Sequence, residues 1–187
     1  MKYLITFIAV LLAFACGTAS PAKSPEKTPE KAPEKKEATA SSAETGFSME
    51  LETVDGNTFS FDSIRGKKHL VVAFWATWCE PCKAELMQLS HMYSEFSDKI
   101  EFVAVSTDGE DLIDKVTEFA TESALPFPVL LDPSGNFVAS VVPGGNSVPY
   151  SVIVRKDGTI HSKHSGYKPG DEITLKKELE ELLEKEK

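Results

Sequence analysis

Trp78-Cys79-Glu80-Pro81-Cys82, directly after the apolar run Leu70-Val71-Val72-Ala73-Phe74-Trp75, is the stretch that decides the fold. A continuous apolar run of this length reads as a strand buried on both faces of a sheet. From Glu80 onward the period changes, and Leu86, Leu89, Tyr93 and Phe96 recur at helical spacing. The two cysteines therefore stand where a buried strand gives way to a helix. On a helical turn their sulfurs can close into a disulfide or open as a thiol pair with little backbone movement. The helix N-terminus offers unpaired N–H groups and a partial positive charge, which stabilise a thiolate on the first cysteine. Pro81 suits the first helical turn, where the N–H it lacks would have had no partner.

The flanking sequence repeats this alternation. Phe47 to Glu52 and Thr58 to Phe61 flank Asp55-Gly56 as a hairpin. Ile100 to Ser106 forms a second buried strand, and Leu112, Val116, Phe119 and Ala120 mark an amphipathic helix. Phe127 to Leu131 reads as a strand ending in the turn Asp132-Pro133-Ser134-Gly135. Tyr150 to Arg155 and Thr159 to Ser165 form an antiparallel hairpin around Asp157-Gly158. A last helix from Asp171 carries Leu175, Leu179, Leu182 and Leu183 on one stripe. The expected architecture is α/β, a mixed central sheet with helices on both faces and an added N-terminal hairpin.

The residues before this domain carry other signals. Lys2, the apolar run Tyr3 to Phe14 and Cys16 make residues 1–16 a secretory signal, shorter than the roughly 20 residues of a spanning helix. Ala13-Phe14-Ala15-Cys16 resembles a bacterial lipoprotein signal, in which the cysteine is lipidated, although Ala13 stands where leucine is usual. The chain has 3 cysteines, and an odd count in an exported protein calls for a partner or a reactive thiol. Lipid on Cys16 leaves the Cys79/Cys82 pair with none over. Residues 17–46 hold Ser-Pro-Glu-Lys, Thr-Pro-Glu-Lys and Ala-Pro-Glu-Lys in tandem. With almost no apolar side chain larger than alanine to bury, they read as a disordered tether. Its reach is roughly 30 Å as a coil and roughly 90 Å as polyproline II.

Residues 47–187 are then one domain, with 24 Asp plus Glu against 14 Lys plus Arg. An acidic domain without a basic stripe argues against nucleic acid and against electrostatic binding to anionic lipid.

The block Phe74-Trp75-Ala76-Thr77-Trp78-Cys79-Glu80-Pro81-Cys82-Lys83-Ala84-Glu85 resembles the thioredoxin-like proteins of the TlpA/ResA type. So do the lone proline of Val148-Pro149 and the strand Val152-Ile153-Val154 before Asp157-Gly158. The resemblance implies a thioredoxin-like three-layer sandwich and an exported, membrane-anchored thiol–disulfide oxidoreductase. Its Cys-Glu-Pro-Cys version is similar to reductases that keep apocytochrome c thiols available for haem attachment. It implies a cis-proline at Pro149 facing the disulfide, with Val148 beside it in a substrate groove, and an active-site acid at Glu85. Tyr150-Ser151 departs from the usual small Thr-Thr and would put a bulky ring next to that groove.

Each residue then has an expected role. Cys79, nearer the helix end and more exposed, attacks a partner disulfide as thiolate, and Cys82 resolves the mixed disulfide. Glu85, one turn after Cys82, takes or gives a proton. Trp75 is core, and Trp78 is partly exposed, where it either packs on substrate or shields the sulfur. At about 7 Å, the Glu80 charge opposes the Cys79 thiolate by roughly 0.6 to 2.4 kcal/mol. The couple should therefore run as a reductant, and removing that charge should raise its potential by roughly 15–50 mV. No cofactor is expected beyond the redox-active disulfide, and no metal site, since His161 and His164 should point to opposite faces of their strand. The expected partners are protein disulfides and a membrane-bound electron donor. Two rivals are a thiol peroxidase and a Cu(I) carrier. The first wants a threonine three residues before the cysteine and a placed arginine, whereas Thr77 is two before Cys79 and Arg65 and Arg155 lie in no motif. The second usually adds a positioned histidine to its thiolates.

Overall fold

The computed structural model describes residues 47–185. The signal segment, Cys16 and the Pro/Glu/Lys tether lie outside the described residues. Among the described residues no helix is long and apolar enough to cross a membrane.

Seven strands form one mixed sheet: β1 (Glu50–Thr53), β2 (Thr58–Ser60), β3 (His69–Trp75), β4 (Ile100–Ser106), β5 (Val129–Leu131), β6 (Tyr150–Val154) and β7 (Ile160–Ser165). Their order across the sheet is β2-β1-β5-β4-β3-β6-β7. β3, β4 and β5 run parallel, while β1, β2, β6 and β7 are added antiparallel at the two sides. The apolar runs take the centre because only there are both faces covered. Every residue of β3 is buried, and in β4 only Glu101 is partly exposed.

Four helices complete the domain: α1 (Glu80–Phe96), α2 (Ile113–Glu122), α3 (Asn136–Val141) and α4 (Asp171–Glu184). One face of the sheet packs against α1, α2 and α4 through Leu86, Leu89, Val116, Leu175 and Leu179. The other is covered by α3 and the segment before β3, where Phe47, Phe61, Phe74 and Phe137 meet ring against ring. Each fully buried aliphatic or aromatic side chain here contributes about 1.5–3 kcal/mol. The expected three layers and N-terminal hairpin are therefore present.

Two local features differ from the sequence expectation, and a third falls on residues to which the sequence reading gave no element. The run after the Asp132 turn is a helix, α3, entered through Gly135 in the left-handed region at φ 68°. Tyr150 does not face the groove: it packs in the cluster with Phe74 and Phe137, and its neighbour Ser151 turns to the α1 side of the sheet. His161 and His164 do not diverge. β7 carries a bulge opposite Ile153/Val154, and the extra residue brings both imidazoles onto α4, at 3.4 and 2.9 Å from the Glu178 carboxylate.

Candidate active site

The parallel register sets the geometry of the site. Trp75 at the end of β3 pairs with Ser106 at the end of β4, so the two following loops leave the sheet side by side. Thr107 donates its N–H to the Trp75 carbonyl at 2.9 Å. The chain then turns through Ala76-Thr77-Trp78, with Cys79 N–H donating to Ala76 O at 3.0 Å, and enters α1. This is the carboxyl end of the parallel strands, where open α/β sheets hold their chemistry.

Cys79 is the N-cap of α1, with φ −97° and ψ 92°, and its sulfur accepts the N–H of Cys82 at 3.3 Å. Cys79 and Cys82 are joined as a disulfide with their Cα atoms 5.3 Å apart. Cys79 keeps 4% of its surface and Cys82 none, so of the two residues Cys79 is the one that borders solvent. Upon reduction, a thiolate at Cys79 would sit on the free N–H groups of the helix, the arrangement that stabilises it.

Around the pair, Trp78 is 66% exposed while Trp75 is completely buried against Phe119. Glu80 and Pro81 are exposed beside the sulfurs. The Glu80 carboxylate takes an ion pair from Lys83 at 2.8 Å. That cation was absent from the sequence estimate, and it offsets part of the repulsion assigned to Glu80. The Val148–Pro149 peptide is cis, and Val148 packs against both core clusters, including the one that contains the two cysteines.

Glu85 occupies the apolar stripe of α1, between Cys82 and Leu89, and is only 6% exposed. Burial pushes its carboxyl up to about 7, an effect that a hydrogen bond from Ser151 opposes and the Asp171 charge adds to. The group is therefore close to half-protonated at neutral pH and can give or take a proton. It borders a cavity of about 340 Å³ between α1, β7 and the start of α4, lined also by Ser151, His164, Tyr167, Asp171 and Glu172.

Two contributors escaped the sequence reading. Ser151 is the donor that tempers Glu85. Asp108, just past β4, is buried at 4% exposure and accepts the Thr77 N–H and hydroxyl, both at 2.8 Å, and the Ser106 hydroxyl at 2.9 Å. For Ser151 the available signal was alternation: if Tyr150 packs on one face of β6, its neighbour must face the other. For Asp108 it was position, a polar run at the end of a buried parallel strand.

The two arginines of the domain lie elsewhere. Arg155 follows β6, where Val154 pairs with Leu70 at the start of β3, the end of the sheet opposite to Cys79. Arg65 pairs with Asp62, before β3 begins.

Comparison with known proteins gives concordant results. The chain is 33% identical over 151 residues to the thioredoxin-like protein YneN of Bacillus subtilis strain 168, covering 80% of this chain and 82% of that protein. It is 29% identical over 135 residues to the thiol-disulfide oxidoreductase ResA of Bacillus thuringiensis subsp. konkukian, covering 71% and 70% of the two chains. The crystal structure of the pneumococcal exposed lipoprotein thioredoxin of Streptococcus pneumoniae strain TIGR4 matches with a TM-score of 0.59 at 27% identity. That match covers 71% of this chain and 98% of the other. Residues 43–163 match the AhpC/TSA family. A match over that span, carried on this sheet order and this strand-to-helix disulfide, makes the chain a thioredoxin-like member of the AhpC/TSA family.

Proposed function

We propose that the protein reduces specific protein disulfides outside the cytoplasm, held at a membrane by lipid on Cys16, with Cys79 as nucleophile and Cys82 as resolving thiol. The protein is a thiol–disulfide oxidoreductase, as its relatives named ResA are. The observation that carries the reading is the Cys79–Cys82 disulfide capping α1, with Cys79 bordering solvent and Cys82 fully enclosed. In the reductive direction the Cys79 thiolate attacks a substrate sulfur, forming a mixed disulfide and releasing the other substrate thiolate. Cys82 then attacks Cys79, closing the intramolecular disulfide and freeing the second substrate thiol. Glu85 takes the Cys82 proton in that second step. The electrons return through a membrane-bound donor, and the couple itself is the only redox group the cycle uses. Apocytochrome c thiols are the substrate class that the Cys-Glu-Pro-Cys resemblance favours.

The anchor reading rests on Ala13-Phe14-Ala15-Cys16 and on the similarity to an exposed lipoprotein thioredoxin. Cys16→Ser should move the protein from the membrane fraction to the soluble one. The family match raises the peroxidase alternative, but Arg65 and Arg155 stand away from Cys79, and the Thr77 hydroxyl is taken by Asp108.

Redox titration of the full-length chain, read by Trp fluorescence, tests the proposal. A midpoint at or below about −250 mV supports a reductase, and one near about −120 mV means that the protein makes disulfides instead. Absence of a reversible two-electron transition would remove the redox reading altogether.

A further inference from the structure

Asp108 has three neutral donors on one buried carboxylate. Oδ2 accepts the Thr77 N–H at 2.8 Å and the Ser106 hydroxyl at 2.9 Å, and Oδ1 accepts the Thr77 hydroxyl at 2.8 Å. The Asp108 N–H in turn donates to the Ser106 hydroxyl oxygen at 3.2 Å. An acceptor-only group suits this place, because all three of the groups facing it donate. Burying a carboxylate is nevertheless costly, so what it fixes is informative. It fixes Thr77, two residues before the nucleophile, to the end of β4. The turn from β3 into α1 is then held at two points, by Asp108 on Thr77 and by the Cys79 N–H on Ala76 O at 3.0 Å. Cys79 can act as the N-cap of α1 only while its backbone keeps the extended conformation this turn delivers.

We infer that Asp108 is a positioning residue for Cys79: its clamp on Thr77 holds the sulfur over the N-terminus of α1 and thereby sets how readily the reduced thiol ionises. The inference rests on the reading of Cys79 as the attacking thiol. The carboxylate acts on that thiol in two opposite ways. Its charge disfavours a nearby thiolate, whereas its hydrogen bonds keep the helix N–H groups aimed at it. Two substitutions separate these effects. Asp108→Asn loses the charge but keeps an oxygen for the Thr77 N–H and the Ser106 hydroxyl, while the Thr77 hydroxyl can rotate to accept from the new amide. Asp108→Ala loses the charge and the clamp together.

The test is the rate of Cys79 alkylation by iodoacetamide in the reduced full-length protein, followed from pH 5 to 10 by peptide fragmentation mass spectrometry. At pH 7, Asp108→Ala should react about three- to tenfold more slowly than Asp108→Asn, the effect of a lost helix cap, and its midpoint should lie at higher pH. Equal rates and midpoints in the two folded variants would overturn the inference. Should Asp108→Ala fail to fold by circular dichroism, Thr77→Val decides, since it removes one hydrogen bond and leaves the charge. A slower rate than wild type supports the clamp, and an unchanged rate overturns it. The wild-type redox titration is read first. A wild type without a reversible Cys79/Cys82 couple refutes the nucleophile reading, whereas an active wild type with indifferent variants refutes only the role of Asp108.

Discussion

Replacing Glu85 by Gln should stabilise the protein by a margin that opens as pH rises from 4.5 to 7 and is full above neutral pH. The folded environment raises this carboxyl from 4.5 to about 7. Between those two values the folded chain binds a proton that the unfolded chain has released. The stabilisation associated with the protonated acid is therefore complete below pH 4.5 and is lost as pH rises through 7. A rise of about 2.5 units at 1.36 kcal/mol each is roughly 3 kcal/mol. Gln has nearly the same shape, can still accept from Ser151, and carries no charge at any pH.

Urea unfolding of the oxidised wild type and Glu85→Gln proteins, measured from pH 4.5 to 9, reads this directly. All other titrating groups are common to both chains and cancel in the difference. The two should agree within about 1 kcal/mol at pH 4.5, and the Gln variant should lead by roughly 3 kcal/mol at pH 9. Adding Ser151→Ala to the wild type should widen the swing, because that hydrogen bond lowers the carboxyl and its loss leaves burial unopposed. A difference that stays flat across the range would show that the carboxylate is solvated when charged. The proton role given to Glu85 would fall with it. The same variant should lose any inflection near pH 7 in its rate of disulfide exchange.

The Glu80–Lys83 pair makes two opposite potential shifts. Glu80→Gln should raise the couple by about 15 mV or less rather than the 50 mV of an unopposed charge, and Lys83→Met, which leaves Glu80 without its counter-ion, should lower it. Redox titration of both checks the sign, and a rise in the Lys83 variant would contradict the electrostatic account. On the other face of the sheet, Phe137→Ala removes a fully buried ring that touches Phe47, Phe61 and Phe74. A loss of about 3–5 kcal/mol in urea unfolding is expected, and one below about 1 kcal/mol would mean that α3 is not part of the cooperative core.

Much of this fold is written in long, unambiguous patterns. The helix Glu80–Phe96 and the strand Ile100–Ser106 end where the sequence periods end, since each is long enough for its spacing to stand out. α3 has six residues, Asn-Phe-Val-Ala-Ser-Val, too few for a helical period and rich in residues that also suit strands. Its helical state comes from the aromatic cluster it closes and from the Asp132 carboxylate, which accepts the Val138 N–H at 2.8 Å. The bulge at His161 left no trace in composition, and a strict two-residue period gives the wrong face for one histidine. Tyr150 shows the same limit in another form. Its place directly after Pro149 put it beside the groove, but the face of β6 on which a residue lies is decided by register with β3, and that register pairs Tyr150 with Phe74.

The two acids in the first turns of α1 show why proximity in sequence misleads about electrostatics. Glu80 lies between the cysteines but is exposed, where water screens its field, and Lys83 opposes it at 2.8 Å. At about 7 Å and the dielectric of water its effect on a thiolate is roughly 0.6 kcal/mol before that cation is counted. Glu85 lies one turn farther on and is buried, so at an effective dielectric near 20 the same separation would give roughly 2.4 kcal/mol. Such an interaction would exist only when the carboxyl is charged, which at about 7 is a matter of ambient pH. The signal was present in the chain: Glu85 falls three residues after Cys82 and four before Leu89, on the stripe whose other members are buried. A carboxylate on the apolar face of a helix has to be desolvated, and desolvation turns an acid that would be inert on the surface into one that titrates near neutral pH. The exposed acid therefore trims the potential by a fixed small amount. In the proposed cycle the buried one ties disulfide exchange to a proton.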